Sequence, residues 1–386
     1  MAVYILSGAR TPIGSFLGQL SSFSAPELGA VAITKALEKG GINASEVNEV
    51  FMGQVLQAGT GQAPARQAAL KAKLPDHVPC TTINKVCGSG LQSIIMGARS
   101  VLLNENDLVV AGGMENMSLS PHLLPKSRSG FKFGHVEMKD SMLHDGLWDP
   151  YSDRAMGNCA EECAKKYNFS REEQDAFAVE SYKRSQHAVK NGLFKNEIAA
   201  VVLKGKAGDT MIEADEEPFK TDFDKIAKLR PAFEKDGTIT AANASTINDG
   251  AAAVVLGGEK FKGKAKYKIL SWASHAVHPI WFTIAPVEAM KKAATKAGVK
   301  IEDIGVFEIN EAFSVVTMAA MKELNLKNDR VNINGGAVSL GHPIGASGAR
   351  IVVSLMNAME QKNVSLGMAA ICIGGGEALA MVISKV

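Results

Sequence analysis

The feature that most constrains this chain is an internal repeat. Glu27 to Phe51 reads as an alanine-rich helix, a Gly40-Gly41-Ile42 stop, an acidic turn and the strand Val47-Asn48-Glu49-Val50-Phe51. Near residue 300 the same grammar returns. Val287 to Ala297 is a helix, Gly298-Val299 stops it, and Ile301 to Gly305 leads into a strand ending near Phe307. After each copy comes a glycine-flanked turn, a helix and an apolar strand. These are Cys87, Leu91–Leu103 and Leu108–Gly113 in the first half, and His342, Ala349–Met359 and Met368–Cys372 in the second. The copies lie about 256 residues apart, measured from Phe51 to Phe307. A unit that alternates strand and helix buries its apolar faces as an α/β layer structure, so the expected fold is two duplicated α/β halves.

Residues 119–245 match neither copy and hold most of the charged loops, including Pro125 to Lys132. One long helix, Arg171 to Asn191, is expected there, with Ser170 as its cap. This block reads as an insertion over the site. The organisation is therefore 1–118 with 246–265 as the first half, 119–245 as an inserted loop domain, and 266–386 as the second half.

A length of 386 residues exceeds one simple core. Hydrophobic content of 46% with 21% charged residues is that of an ordinary globular protein, and a formal charge of +2 argues for neither nucleic acid nor an anionic membrane as partner. Five scattered cysteines form no disulfide ladder, and the chain opens on the strand Val3–Leu6 without a leader pattern. No apolar run is long enough to span a bilayer. The expectation is a cytoplasmic protein that uses its cysteines as thiols.

Two of those thiols stand out. Cys87 lies in Asn84-Lys85-Val86-Cys87-Gly88-Ser89-Gly90, where a polar turn gives way to a helix. A helix dipole and a nearby base can hold such a thiol as thiolate. Cys372 sits where an apolar strand runs into Gly374-Gly375-Gly376, and His342 lies between Gly341 and Pro343 in a rigid turn. A nucleophilic thiol, a neutral imidazole and a second acid–base thiol suffice for acyl transfer and carbon–carbon bond formation. Glycines at the turns expose backbone N–H groups as oxyanion donors. Cys159 and Cys163 share a helix face, but no second pair completes a metal site, so they and Cys80 read as structural and no metal is expected. The glycine-rich stretch Gly341–Gly348 lacks G-x-G-x-x-G and G-K-[ST], which argues against a nucleotide loop.

The chain resembles the thiolase family over essentially its whole length. Four blocks carry the resemblance in the family's order: Asn84 to Gly90; Asn310-Glu311-Ala312-Phe313; Asn334-Gly335-Gly336-Ala337 with Gly341 to Gly345; and Cys372 to Gly376. The resemblance implies a five-layer α-β-α-β-α core with an inserted loop domain that binds coenzyme A, in a homotetramer built as a dimer of dimers, or a dimer. It implies reversible Claisen condensation of two acetyl-CoA to acetoacetyl-CoA and coenzyme A, with no tightly bound cofactor. Cys87 then corresponds to the acylated nucleophile, His342 to its base and Cys372 to the acid–base cysteine. Asn310 corresponds to the residue holding a water in one oxyanion hole, and the N–H groups of Cys87 and Gly374 to the second hole. Ser245 and Leu147 fall where the pantetheine arm is contacted, with Met156, Phe233 and Ala241 as further coenzyme A positions and Phe313 shaping the acyl pocket. Lys220 and Arg128 are candidates for the phosphates.

One departure matters. Acetoacetyl-CoA-forming members usually carry a histidine before the Met-Gly pair, where this chain has Ala155. A small residue there widens the acyl pocket and raises a 3-ketoacyl-CoA thiolase of broader chain length as the alternative. Ketoacyl and hydroxymethylglutaryl-CoA synthases, which the resemblance also touches, lack the second catalytic cysteine. A scaffold on an inactive fold is disfavoured by four intact blocks.

Overall fold

The computed structural model describes residues 2–206 and 208–386. Its centre is a mixed sheet built from β1 (Val3–Arg10), β2 (Glu49–Gly53), β3 (Cys80–Ile83), β4 (Leu108–Asn116), β5 (Asn248–Gly257), β6 (Tyr267–Ala276), β7 (Val306–Ile309), β8 (Leu366–Ile373) and β9 (Glu377–Lys385). Their order is β7-β8-β9-β6-β1-β5-β4-β2-β3. The two halves run in opposite senses from the middle of that list. In the first, β2 pairs parallel with β3 and β4, and β5 is antiparallel to β4 and β1. In the second, β7 is parallel to β8, and β9 is antiparallel to β8 and β6. The second half has only the single bridge Phe307–Val331 where the first has β3.

The duplicated α/β pair is therefore present, with one difference from the sequence reading. Val3, Tyr4 and Ile5 pair with Ile269, Lys268 and Tyr267, and this short antiparallel seam makes one continuous sheet of the two halves. A three-residue pairing between distant strands has no local pattern to announce it.

Helices fill the remaining layers. α1 (Ala25–Gly40) and α2 (Pro64–Lys71) cover the outer face of the first half, while α3 (Ser89–Leu102) and the last helix, α8 (Ser347–Lys362), lie between the halves. α6 (Ala285–Ala297) and α7 (Ser314–Leu324) cover the outer face of the second. Strand alternation sends each residue to its own layer. Leu379, Met381 and Ile383 of β9 join Ile94, Ile95 and Ile351 in the central core, and Ala378, Ala380 and Val382 join Met290 and Ala293 in the outer one. Leu28, Ile33 and Val110 belong to the opposite outer core. The five-layer order α-β-α-β-α follows from these three cores.

Gly90 and Gly348 let α3 and α8 touch backbone to backbone. A Cβ on Gly90 would lie 2.6 Å from the Ala349 nitrogen, and one on Gly348 would overlap the Leu91 nitrogen. This close approach brings the starts of the two helices together, and Cys87 and His342 sit just before those starts.

The segment between β4 and β5 carries α4 (Met156–Tyr167) and α5 (Arg171–Lys190). The expected Ser170 cap is present as a capping box: Ser170 accepts from the Glu173 N–H at 3.1 Å, and Glu173 accepts from the Ser170 N–H at 2.8 Å. Cys159 and Cys163 of α4 are fully buried and pack with Val315, Val316 and Phe313. Among the described residues no helix is long and apolar enough to cross a membrane.

Candidate active site

The nucleophile turn is built by its own polar side chains. Val86 has φ of 45°, a left-handed conformation that a β-branched residue adopts only when held there. Asn84 Oδ1 accepts from the Val86 N–H at 3.0 Å. The Ser89 hydroxyl accepts from the Lys85 N–H at 2.8 Å and donates to the Val86 carbonyl at 2.7 Å. The turn thus explains why asparagine and serine flank the cysteine. Lys85 also reaches across to Glu377 at 2.5 Å, tying this turn to the start of β9.

Cys87 faces the floor of a mostly apolar cavity of about 260 Å³. Burial pushes its thiol up to about 11, although N–H donors of Gly374 and of Cys87 itself pull the other way. The expectation of a resting thiolate fails here. The helix start is present, but desolvation of the anion outweighs both the dipole and the two N–H groups. The balance of these effects favours the neutral thiol at rest.

His342 is 5% exposed and is held from both sides. Its N–H donates to Asn248 Oδ1 at 2.9 Å, and its Nδ1 lies 2.6 Å from the Ser347 hydroxyl. That hydroxyl donates to the Pro343 carbonyl at 3.0 Å, so it receives the Nδ1–H and leaves Nε2 as the free acceptor. Nε2 is buried with no protein partner. Burial first, and the positive charge of Arg350 second, push the imidazole down to about 3. The loop after the histidine is strapped by Glu115, whose carboxyl accepts from the N–H groups of Val55, Leu56 and Gly345 at 3.0, 3.2 and 2.9 Å. Burial raises that carboxyl to about 7 against these three donors.

Cys372 closes β8 and is wholly buried, its thiol raised well above the usual value by burial and then by the negative charge Cys87 would carry. It does not itself line the cavity but belongs to the cluster of Phe282 and Phe313, which do, and Gly374 lines the cavity two residues on. Asn310 follows β7, is fully buried, and leaves its Nδ2 without a protein partner.

Cys87, His342, Gly374, Leu147, Met156, Phe233, Ser245 and Phe313 all line this one cavity, as does Ala155. Cys372 and Asn310 are buried outside that lining, and three further candidates also lie outside it. Ala241 is exposed and lies outside the lining. Lys220 is likewise exposed and is engaged by Glu216 at 2.8 Å, an ion pair within one turn. Arg128, on the exposed turn Ser127–Ser129, is also remote from the lining. The cavity wall further includes Met117, Ile247, Phe282 and Ile344, and its support includes Glu115, Asn248, Ser347 and Arg350. No spacing pattern marks Phe282, which precedes α6 in an irregular stretch. Ser347 could have been suspected five residues after the histidine, at a helix start. Among the described residues no group of three or more His, Cys, Asp or Glu side chains is arranged to hold a metal.

The family described as thiolase, N-terminal domain, matches residues 3–260, and thiolase, C-terminal domain, matches residues 263–385. The mitochondrial acetyl-CoA acetyltransferase of Bos taurus is 52% identical over 390 residues, covering 99% of this chain and 91% of its own. The acetyl-CoA acetyltransferase of Pseudomonas aeruginosa is 46% identical over 392 residues, covering 99% of both. Among solved structures, the Acat5 thiolase of Ascaris suum in complex with coenzyme A superposes with a TM-score of 0.95 at 46% identity over 100% of both chains. The Bacillus anthracis acetyl-CoA acetyltransferase gives 0.97 at 38% identity, over 100% of this chain and 99% of the other.

Proposed function

The chain belongs to the thiolase family, and from that premise we propose that it catalyses the reversible condensation of two acetyl-CoA to acetoacetyl-CoA and free coenzyme A. The observation that carries the reading is the convergence of a half-buried thiol, an imidazole with a free Nε2 and Gly374 on one apolar cavity.

Burial raises the Cys87 thiol and lowers the His342 imidazole, so both directions disfavour a separated thiolate–imidazolium pair. The proton therefore moves to His342 Nε2 as Cys87 attacks the acetyl thioester, not before. The Cys87 and Gly374 N–H groups, which reach the sulfur, are the donors this reading assigns to the tetrahedral oxygen. Coenzyme A leaves with the proton of Cys372. The Cys372 thiolate then takes an α-proton from a second acetyl-CoA, while His342 and a water on Asn310 steady the enolate oxygen. The enolate attacks acetyl-Cys87, whose sulfur departs and recovers its proton from His342. Each group ends with the proton it started with. Coenzyme A serves as substrate and leaving group, not as a resident cofactor.

One observation favours a second reading. Ala155 stands in the cavity wall with Met156, Phe282 and Phe313, and its methyl leaves room for a longer acyl chain. Cleavage rates on acetoacetyl-CoA, 3-ketohexanoyl-CoA and 3-ketodecanoyl-CoA separate the two. The acetyl-specific reading requires the shortest substrate to be fastest.

The assembly reading is a dimer or a homotetramer. The unpaired outer edge of β3 and the exposed Phe131, Phe133 and Met138 of the inserted segment support it, because such edges and patches are normally covered. Sedimentation equilibrium tests it. Free cysteines at all five positions support a reducing compartment such as the cytoplasm.

A further inference from the structure

An asparagine side chain has nearly the same outline whichever way its amide is turned, and its chemistry depends on the turn. Asn310 is wholly buried, with its backbone N–H fixed to the Ala370 carbonyl at 2.9 Å. Its Oδ1 lies 3.4 Å from Nη2 of Arg350, which is 2% exposed and sits three residues after Ser347 in the first turn of α8. Nη1 of the same guanidinium is held by Glu308 at 3.3 Å. A guanidinium has donors only, so the reversed amide would set donor against donor in a buried site.

We propose that Arg350 is a positioning residue for the condensation: it turns the Asn310 amide so that the NH₂ end, not the oxygen, faces the site beside His342. Nδ2 of Asn310 and Nε2 of His342 are both left without a protein partner, as is Nε of Arg350. A water that accepts from Nδ2 keeps both of its own protons available, one of them for the enolate oxygen. A water bound to Oδ1 would spend a proton on the asparagine instead. The first turn of α8 thus orients both partners of the oxyanion hole, Ser347 holding His342 and Arg350 holding Asn310. The guanidinium also lies close enough to the imidazole for its charge to push the His342 pKa down, after burial.

This role rests on the condensation activity proposed above, so wild-type enzyme is assayed alongside every variant. Arg350→Met, Arg350→Lys and the double variant Arg350→Met/Glu308→Gln are compared for kcat and KM with acetyl-CoA. Arg350→Met frees the amide to turn, and kcat falls about a hundredfold, the usual effect of losing one oxyanion donor, with KM near that of the wild type. The double variant leaves no unpaired buried carboxylate, so it decides the matter if the single variant does not fold. Arg350→Lys keeps the charge, but one ammonium cannot satisfy both Glu308 and Asn310, and kcat falls as in Arg350→Met. Wild-type kcat in a folded Arg350→Met or double variant, or full rescue by Arg350→Lys, overturns the role. A wild-type enzyme that does not condense acetyl-CoA overturns the activity and the role with it.

Discussion

The contact between α3 and α8 predicts a mutation that damages catalysis far more than stability. In Gly90→Ala the new methyl lies 2.6 Å from the Ala349 nitrogen and 3.1 Å from the Gly345 carbonyl oxygen. Ordinary contact needs about 3.5 Å, so the helix starts must separate by up to about 1 Å. Alanine at this second residue of α3 gains at most about 1 kcal/mol over glycine, while the overpacking costs about 1–3 kcal/mol. The net change in stability is therefore small. The separation, however, falls between Cys87 and His342, where a displacement of about 1 Å costs about a hundredfold in rate. Gly97→Ala in the same helix is the control. Its methyl meets side-chain ends, Val109 Cγ1 at 2.9 Å and Leu256 Cδ1 at 3.0 Å, which can rotate away far from the site. Single-turnover acetylation of Cys87 and thermal unfolding are measured for both. Gly90→Ala with near-normal Tm and acetylation slowed about a hundredfold is the expected result. Acetylation at the wild-type rate in a folded Gly90→Ala would refute the claim that backbone contact sets the thiol–imidazole geometry.

Two further outcomes follow from the burial of charged forms. Alkylation of resting Cys87 by iodoacetamide rises steadily with pH across 7 to 9, because its thiol is pushed up to about 11; a plateau below pH 8 would mean a resting thiolate after all. Glu115 has its carboxyl raised from 4.5 to about 7, so the folded protein holds that proton more tightly than the unfolded chain. Its contribution is fully present below 4.5 and is lost as pH rises through 7, up to about 3 kcal/mol. Glu115→Gln flattens that slope in urea titrations run from pH 4.5 to 8. It also slows acetylation, since an amide cannot accept from Val55, Leu56 and Gly345 together; an unchanged slope would contradict the burial argument.

The repeat makes most of this fold legible in the sequence itself. The β2 and β7 strands, the helices around Cys87 and His342 and the Ser170 cap all lie where periodicity and glycine stops put them. Boundaries moved where a side chain intervened. The strand expected from Val47 begins at Glu49, since Asn48 Oδ1 is accepting from the N–H groups of Asp107 and Leu108. The seam between β1 and β6 is a tertiary pairing with no local signature. At the site, residues with unusual neighbours in sequence were visible, and those recruited through space were not. Glu115, Arg350 and Phe282 sit in runs that read equally well as strand, helix and loop filler. The ionisation state of Cys87 was misread for a related reason: a dipole is legible at a helix start, whereas desolvation belongs to the finished fold.

The central claim is that Cys87 carries the acyl group and Cys372 carries only a proton. Wild-type and Cys372→Ser protein are incubated with acetyl-CoA, digested and weighed peptide by peptide, with acetoacetyl-CoA measured in parallel. Both proteins should gain one acetyl group on the Cys87 peptide, with Cys372→Ser acetylated more slowly, and only the wild type should make acetoacetyl-CoA. An acetyl group on the Cys372 peptide, or condensation by Cys372→Ser at the wild-type rate, would contradict it.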